Sequence, residues 1–279
     1  MSTYLFSIDF EDIRFGLADG LKYQARVPAN VHRYLEWLNG RGFKCTFFVV
    51  GDAAEAYPSL VREIASEGHE IACHTNRHVS LDRQSKDEFR TELEANVEAL
   101  LRAGAPRPAG FRAPNFSIVP ATAWAYDVLG EMGFVYSSSV LPAKNPLYGW
   151  KDFGERPRIV RGIVEIPMTV GSFGPLRLPI AGGVYFRALP RLCIRRAAKR
   201  YLKKDFPLLG YFHPYDIDAE QERFMHPEIN DSRLYNFLMY YNRKSVFERL
   251  DAVVDLGFTI CTYAEYVRGH VGEFAEESG

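Results

Sequence analysis

From Tyr4 onward, short runs of β-branched and aromatic residues alternate with longer stretches of helical period. The runs at 4–9 (YLFSID), 43–51 (FKCTFFVVG), 69–74 (HEIACH), 109–114 (AGFRAP), 134–140 (FVYSSSV), 163–168 (IVEIPM), 207–214 (PLLGYFHP) and 258–263 (FTICTY) read as strands. Residues 28–42, 52–68, 85–103, 119–133, 189–204 and 244–257 read as helices. Pro28 suits a helix start and Gly42 a helix end. Within 85–103, Phe89, Leu93, Val97, Leu100 and Leu101 fall on one face. Strand–helix alternation with short links implies a parallel sheet, and seven or eight such units favour a closed or nearly closed α/β barrel. We expect one domain over 1–279. Two stretches break the pattern: an excursion loop near 141–162, rich in Pro, Gly and charge, and an irregular segment near 215–240.

Hydrophobic residues make up 47% of the chain and charged residues 25%, enough apolar material for a large core in a soluble globular protein. A formal net charge of −1 argues against nucleic acid or an anionic membrane as the main partner. The locally basic run RLCIRRAAKRYLKK at 191–204 reads as a solvated helix face. Cys45, Cys73, Cys193 and Cys261 form no CxxC pair, and three sit inside apolar runs, which suits reduced buried thiols. The N-terminus lacks the basic and apolar regions of a signal peptide, and no run approaches the roughly 18 apolar residues of a membrane helix. The expectation is a cytoplasmic protein without an integral membrane segment.

Several apolar strands end in a polar group: Asp9, Glu11 and Asp12 after the first, His74 after EIAC, Arg112 after AGF, His213 after LLGYF. In a parallel barrel those ends converge on one mouth, where the catalytic groups of barrel enzymes lie. Two neutral imidazoles and a carboxylate there make a three-ligand set for a divalent metal, with a position left open for water. A second carboxylate can take a proton from that water, and a separate histidine can protonate a leaving group. The inventory fits metal-assisted hydrolysis of an acyl bond. Each element has a plainer explanation. H-x3-H alone is a weak signal, acidic clusters cap helices, arginines make structural ion pairs, and His213 before a proline suits a core position. All four falling at strand ends weighs against coincidence. His32, His69, His226 and His270 are given structural or rim positions.

In this order the residues resemble the polysaccharide deacetylase family of carbohydrate esterases, and the resemblance runs over most of the chain. SIDFED is similar to the family's first motif, HTNRH to the second, FRAPNFS to the third and YFHP to the fifth. The stretch 164–218 resembles the C-terminal portion of deacetylases of exopolysaccharide and surface-glycan assembly. The resemblance implies a distorted (β/α) barrel of about seven parallel strands. It implies Asp9 as general base, Arg112 as the residue that keeps Asp9 ionised and oriented, and His213 as the acid that protonates the departing amine. His74 and His78 would bind a divalent metal, usually zinc in this family. Asn115 sits where the family uses a backbone N–H toward the oxyanion. The usual first motif has adjacent aspartates, whereas Phe10 and Glu11 here separate Asp9 from Asp12. The third ligand is therefore Asp12 or Glu11. Period-two geometry favours Glu11, and the shorter arm of Asp12 at a turn tips the choice toward Asp12. Ser137 stands where relatives commonly carry an aspartate, so Asp216 or Asp218 would have to support His213. Tyr185 and Arg187 are candidate sugar contacts. The implied activity is N-deacetylation of an amino sugar in a surface polysaccharide or its lipid-linked or nucleotide-sugar precursor, with glycan-assembly proteins as partners. The alternatives are a deformylase, an O-deacetylase, or a catalytically impaired glycan-binding protein.

Overall fold

A computed structural model describes residues 2–276 except 145–147, 174–175, 181, 228 and 230. The strands are β1 (Ser2–Phe10), β2 (Thr46–Val49), β3 (Glu70–Cys73), β4 (Gly110–Phe111), β5 (Tyr136–Ser137), β6 (Arg158–Val160), β7 (Ile163–Glu165), β8 (Val170–Phe173), β9 (Leu176–Pro179), β10 (Leu208–Phe212), β11 (Phe258–Ile260) and β12 (Ala275–Glu276). Seven of them pair parallel in the order β10-β1-β2-β3-β4-β5-β7. β11 joins the start of β1, also parallel. β6 runs antiparallel to β7 and carries β12 at the far edge, while β8 and β9 form a separate hairpin. The result is a mostly parallel, curled sheet, a distorted and open (β/α) half-barrel. Among the described residues no ladder joins β7 to β10. The gap is crossed just after β7, where the Leu209 N–H of β10 donates to Thr169 Oγ1 at 2.7 Å.

The helices are α1 (Val27–Asn39), α2 (Gly51–Ala56), α3 (Pro58–Ser66), α4 (Lys86–Arg102), α5 (Ala125–Glu131), α6 (Gly183–Ala188), α7 (Arg191–Tyr201), α8 (Arg233–Tyr240), α9 (Val246–Val254) and α10 (Tyr263–Gly269). β1 divides its side chains by strict alternation. Tyr4, Phe6, Ile8 and Phe10 enter the core shared with α1, α3, α7 and α9. Leu5 faces the interior cluster with Phe48, Ala72, Tyr136 and Leu209. The same period puts Ser7 and Asp9 on the interior face. A third cluster packs α4 and α5 on the far half of the sheet through Phe89, Leu93, Val97, Tyr126 and Leu129.

Three expectations change in detail. The helix expected over 52–68 is two, α2 and α3. Tyr57 precedes Pro58, whose ring disfavours helical geometry for it, and it sits at φ −130°, ψ 51°. The irregular segment near 215–240 contains a 3-10 turn, Pro214–Ile217, and helix α8; residues 228 and 230 lie outside the described residues. The excursion loop near 141–162 includes β6, and its residues 145–147 lie outside the described residues. Helix α6 begins at the Gly182–Gly183 pair. All four cysteines are unpaired, and among the described residues no helix is long and apolar enough to cross a membrane.

The interior tolerates no added bulk at Gly110 in β4. A Cβ there would stand 1.9 Å from Cζ of the buried Tyr136 ring, which stacks on Tyr263 with centroids 5.8 Å apart. Gly110→Ala should destabilise the fold by about 1–3 kcal/mol, the usual range for overpacking. A lowered midpoint in urea unfolding checks this.

Candidate active site

Strand register assembles the mouth. Ile8 pairs with Phe212, so Asp9 and His213, one residue on in each strand, leave the sheet side by side. Cys73 pairs with Phe111, which does the same for His74 and Arg112. Arg112 is fully buried. Its Nη1 donates to Asp9 Oδ1 at 2.5 Å and to Ser7 Oγ at 2.8 Å. Its Nη2 donates to Tyr263 Oη at 2.9 Å, its Nε to the Ser138 carbonyl at 3.1 Å, and the guanidinium lies 3.9 Å from the Phe48 ring centroid. Burial of Asp9 favours its neutral form, but the Arg112 charge, helped by that of His213, prevails and holds the carboxyl below its ordinary range.

His74 Nδ1 lies 2.8 Å from the Arg112 carbonyl, which can only accept. Nδ1 therefore carries the proton and Nε2 keeps its lone pair. Burial, above all, drives the His74 pKa down to about 3, so the ring is neutral. The chain then turns through left-handed backbone at Thr75 (φ 58°) and His78 (φ 57°). The His78 N–H closes the turn on Thr75 Oγ1 at 3.1 Å, and Asn96 Nδ2 holds the Thr75 carbonyl at 2.6 Å. The turn brings the His74 and His78 rings to 4.9 Å between centroids.

Asp12 has another occupation. The strand ends at Phe10, the Glu11 N–H bonds the Asp9 carbonyl at 3.1 Å, and Asp12 becomes the N-cap of a 3-10 turn, Ile13–Gly16. Its carboxylate accepts from the Arg14 backbone N–H, from Arg14 Nε and Nη2 (2.7 Å), and from Tyr57 Oη at 2.6 Å. Tyr57 reaches it because the chain breaks there between α2 and α3. The carboxylate facing the histidines is that of Glu11: Oε2 lies 3.3 Å from His78 Nε2, and Oε1 lies 3.7 Å from His213 Nε2. The preference for Asp12 thus gives way to Glu11 on position. A short side chain at a strand end caps the following turn, whereas the period-two partner of Asp9 keeps facing the mouth.

On the other flank, His213 stacks on Tyr215, with centroids 4.6 Å apart and planes 7° from parallel. Asp216 Oδ2 accepts from both the His213 N–H (2.8 Å) and Nδ1 (2.9 Å). Burial works against the imidazolium, but the Asp216 bond and the charges of Glu11 and Asp9 raise the His213 pKa to about 9. Burial likewise disfavours an ionised Asp216, yet Arg187 and then His213 hold its pKa far below the ordinary carboxylate range. Asp218 is turned away and is held by Arg26 and by Asn30 Nδ2 at 3.0 Å. Ser137 contributes no charge; its hydroxyl donates to Ser139 Oγ at 2.8 Å. The serine run is fixed by buried Glu165, which accepts from the Ser139 and Val140 N–H groups at 2.7 and 2.9 Å.

Asn115 adopts left-handed backbone (φ 57°, ψ 18°), and its Nδ2 donates to Ser80 Oγ at 3.1 Å. Tyr185 is half-buried on α6. Arg187 cannot be a surface sugar contact, because it is fully buried behind Asp216. The sequence reading passed over Arg14, Tyr57 and Tyr263. Pro58 signals the break that aims Tyr57, but nothing local marks Tyr263, which arrives from the far end of the chain. An open cleft of about 740 Å³, lined by Phe15, Leu17, Lys22, Asp52 and Glu55 among others, reaches the Arg14 that holds Asp12.

The donor chemistry fits a divalent cation: two imidazoles, one of them held neutral with Nε2 free of a proton, and a carboxylate. Two donors bound about 2.0–2.1 Å from one tetrahedral ion stand roughly 3.3–3.4 Å apart. The His78–Glu11 separation of 3.3 Å agrees. Among the described residues no trio of His, Cys, Asp or Glu already stands at full ligand spacing, so the pair carries the fit.

Residues 11–135 match the polysaccharide deacetylase family, and residues 138–267 match a domain of unknown function, DUF3473. The peptidoglycan-N-acetylglucosamine deacetylase of Bacillus cereus is 37% identical over 87 residues, 31% of this chain and 32% of that protein. The peptidoglycan deacetylase-like protein FGM2 of Gibberella zeae is 30% identical over 159 residues, 52% of this chain and 45% of its own length. The chain thus spans less than half the length of either relative. A Mycobacterium smegmatis crystal structure, provisionally assigned as a polysaccharide deacetylase, aligns over 100% of this chain and 94% of its own with a TM-score of 0.66 at 19% identity. A family 4 carbohydrate esterase pseudoenzyme from Bacillus anthracis aligns over 95% of this chain and 64% of its own with a TM-score of 0.53 at 11% identity. At these identities the likeness shows a shared fold.

The buried pair yields a stability prediction. Asp9 has a lowered pKa, so its contribution is fully present above its unfolded value near about pH 4 and is lost as pH falls through the lower folded value. Arg112→Met should cost about 3–5 kcal/mol, because it strands a buried carboxylate. Asp9→Asn/Arg112→Met should recover part of that loss. Urea midpoints of the two variants at pH 7 check it.

Proposed function

We propose that the chain, whose residues 11–135 match the polysaccharide deacetylase family, is a metal-dependent N-deacetylase of amino sugars in a surface glycan or its precursor. One observation carries the reading most. A carboxylate kept ionised by Arg112 and a histidine kept protonated by Asp216 stand side by side at the mouth, and Glu11 lies between that histidine and His78. That is the division of labour that hydrolysis of an amide needs.

Glu11, His74 and His78 would hold the cation, with zinc the expected ion. Such an ion supplies Lewis acidity toward the acetyl carbonyl and lowers the pKa of water. Asp9 accepts the proton from the attacking water, and Arg112 keeps it ionised for that step. His213 passes its Nε2 proton to the amide nitrogen as the carbonyl carbon–nitrogen bond breaks, and acetate and a free amine leave. Asn115 offers a backbone N–H beside the carbonyl oxygen. The open cleft beside Arg14 suits a sugar within a chain better than a small isolated one. The Bacillus cereus relative is named for peptidoglycan N-acetylglucosamine, an N-acetylated glycan of this kind. Four unpaired cysteines suit a reducing compartment, so the reading places the reaction in the cytoplasm, with glycan-assembly proteins as neighbours.

Incubation with N-acetylated oligosaccharides should release acetate and free amine in equal amounts. Formate instead of acetate, or release from O-acetyl esters alone, would point to the alternative chemistries. Glycan binding without turnover would indicate a binding protein. The purified chain should take up about one divalent ion. Glu11→Ala and His74→Ala should lose both ion and turnover, whereas Asp12→Asn should keep the ion; inductively coupled plasma measurement of metal content decides.

His213 should give an alkaline limb. Its folded pKa of about 9 lies above the ordinary histidine value, so the proton it donates is in place at neutral pH and is lost as pH rises through about 9. Asp216→Asn should move that limb down toward the ordinary histidine range, and His213→Ala should lower kcat by about 10²–10⁴-fold. A pH–rate profile of each variant checks both.

A further inference from the structure

The region matched only as a domain of unknown function contains a buried arginine that the chemistry above does not use. Arg187 lies on α6, is fully buried, and sends its guanidinium in two directions. Nη2 lies 2.8 Å from Asp216 Oδ1. Nη1 donates to the carbonyls of Leu238 (3.3 Å), Met239 (3.0 Å) and Tyr241 (2.7 Å), the C-terminal end of α8. Asn242 Nδ2 returns a bond to the Arg187 carbonyl at 3.0 Å.

The sequence makes this placement possible. A Cβ at Gly182 would stand 2.1 Å from the Tyr211 carbonyl oxygen, so only glycine lets the start of α6 lie against β10 two residues before His213. One turn later α6 delivers Arg187 behind Asp216. The carbonyls at the end of α8 carry the negative pole of that helix, and a cation is the group that suits them. Arg187 therefore bridges a helix terminus, to which Nη1 donates, and a buried carboxylate, with which Nη2 makes a close ion pair, a two-sided reach that an ammonium cannot match.

Resting on the proposed acid role of His213, we propose that Arg187 is a positioning residue of the acid half-site: it anchors Asp216 through Oδ1 so that Oδ2 stays on His213 Nδ1 and aims Nε2 at the leaving nitrogen. The function of the 183–243 stretch is then to build that acid arm, with α8 as the abutment against which Arg187 is braced. Without Arg187, Asp216 is a buried carboxylate with one partner fewer. It gains a proton or rotates, and the imidazole loses its fixed tautomer.

The test separates positioning from folding by the leaving group. An amide needs its nitrogen protonated as the bond breaks, whereas 4-nitrophenolate leaves without a proton. In the zinc-loaded protein, Arg187→Met should lower kcat on N-acetylated chitotetraose by about 100-fold, within the range of a general acid's contribution. KM for the oligosaccharide and turnover of 4-nitrophenyl acetate should each change by less than about threefold. Arg187→Lys restores the charge without the fork and should lose about 10-fold on the amide; it serves if the methionine variant does not fold. Parallel loss on amide and ester with metal retained, or no loss on either, overturns the proposal. A readout independent of turnover is the downfield proton resonance of His213 Nδ1–H. It should be present in the unsubstituted protein, absent in Arg187→Met and retained in Arg187→Lys. An unchanged resonance in Arg187→Met also overturns the proposal. If the unsubstituted protein releases acetate from neither substrate, the deacetylase reading fails and the resonance alone decides the role of Arg187.

Discussion

The buried ion pair of Asp9 and Arg112 is the contact on which the rest of the mouth depends. Both partners are nearly inaccessible to water, and such a pair persists only if every remaining donor is satisfied. Here each is: Ser7, Ser138, Tyr263 and the Phe48 ring complete the arginine's shell. The satisfied arginine also fixes its own backbone, and its carbonyl selects the tautomer of His74. One residue therefore keeps a carboxylate ionised on one side and leaves an imidazole lone pair on the other. Serines at 137–139 look unremarkable in sequence, but Glu165 locks their backbone, and that backbone in turn holds Arg112.

The two matched regions contribute different halves of one site. Residues 11–135 bring Glu11, His74, His78 and Arg112, while residues 138–267 bring His213, Asp216 and Arg187. Asp9 stands just ahead of both matches, on the long central strand that pairs with β2 on one side and β10 on the other. That strand is why the halves meet. Its register sets Asp9 beside His213, and the residue two further on, Glu11, lies between His213 and His78.

Much of this was legible in the chain because strand ends and polar residues coincide. The alternation of short apolar runs with helical periods gave the parallel core, and the residue following each run gave Asp9, His74, Arg112 and His213. What the pattern hid depends on long-range contact. Glu11 and Asp12 differ by one position, and the outcome rests on Arg14 and Tyr57 claiming Asp12, which no spacing rule displays. Arg187 follows a Gly-Gly pair and a tyrosine, a context that suggests a loop at a binding surface. The close approach of Gly182 to Tyr211 instead starts a helix and buries the arginine. Helix α8 was missed because it is only eight residues long and none of them is buried; Leu234, Tyr235 and Phe237 all remain exposed.

The central claim is that residues distant in sequence meet around one cation, with a base and an acid beside it. Anomalous diffraction at the zinc edge from zinc-loaded crystals tests it most directly. The account predicts a single strong peak about 2.0–2.2 Å from Glu11, His74 Nε2 and His78, with Asp9 and His213 close by. A peak bonded to Asp12 in place of Glu11, or no peak between the two histidines, would contradict it.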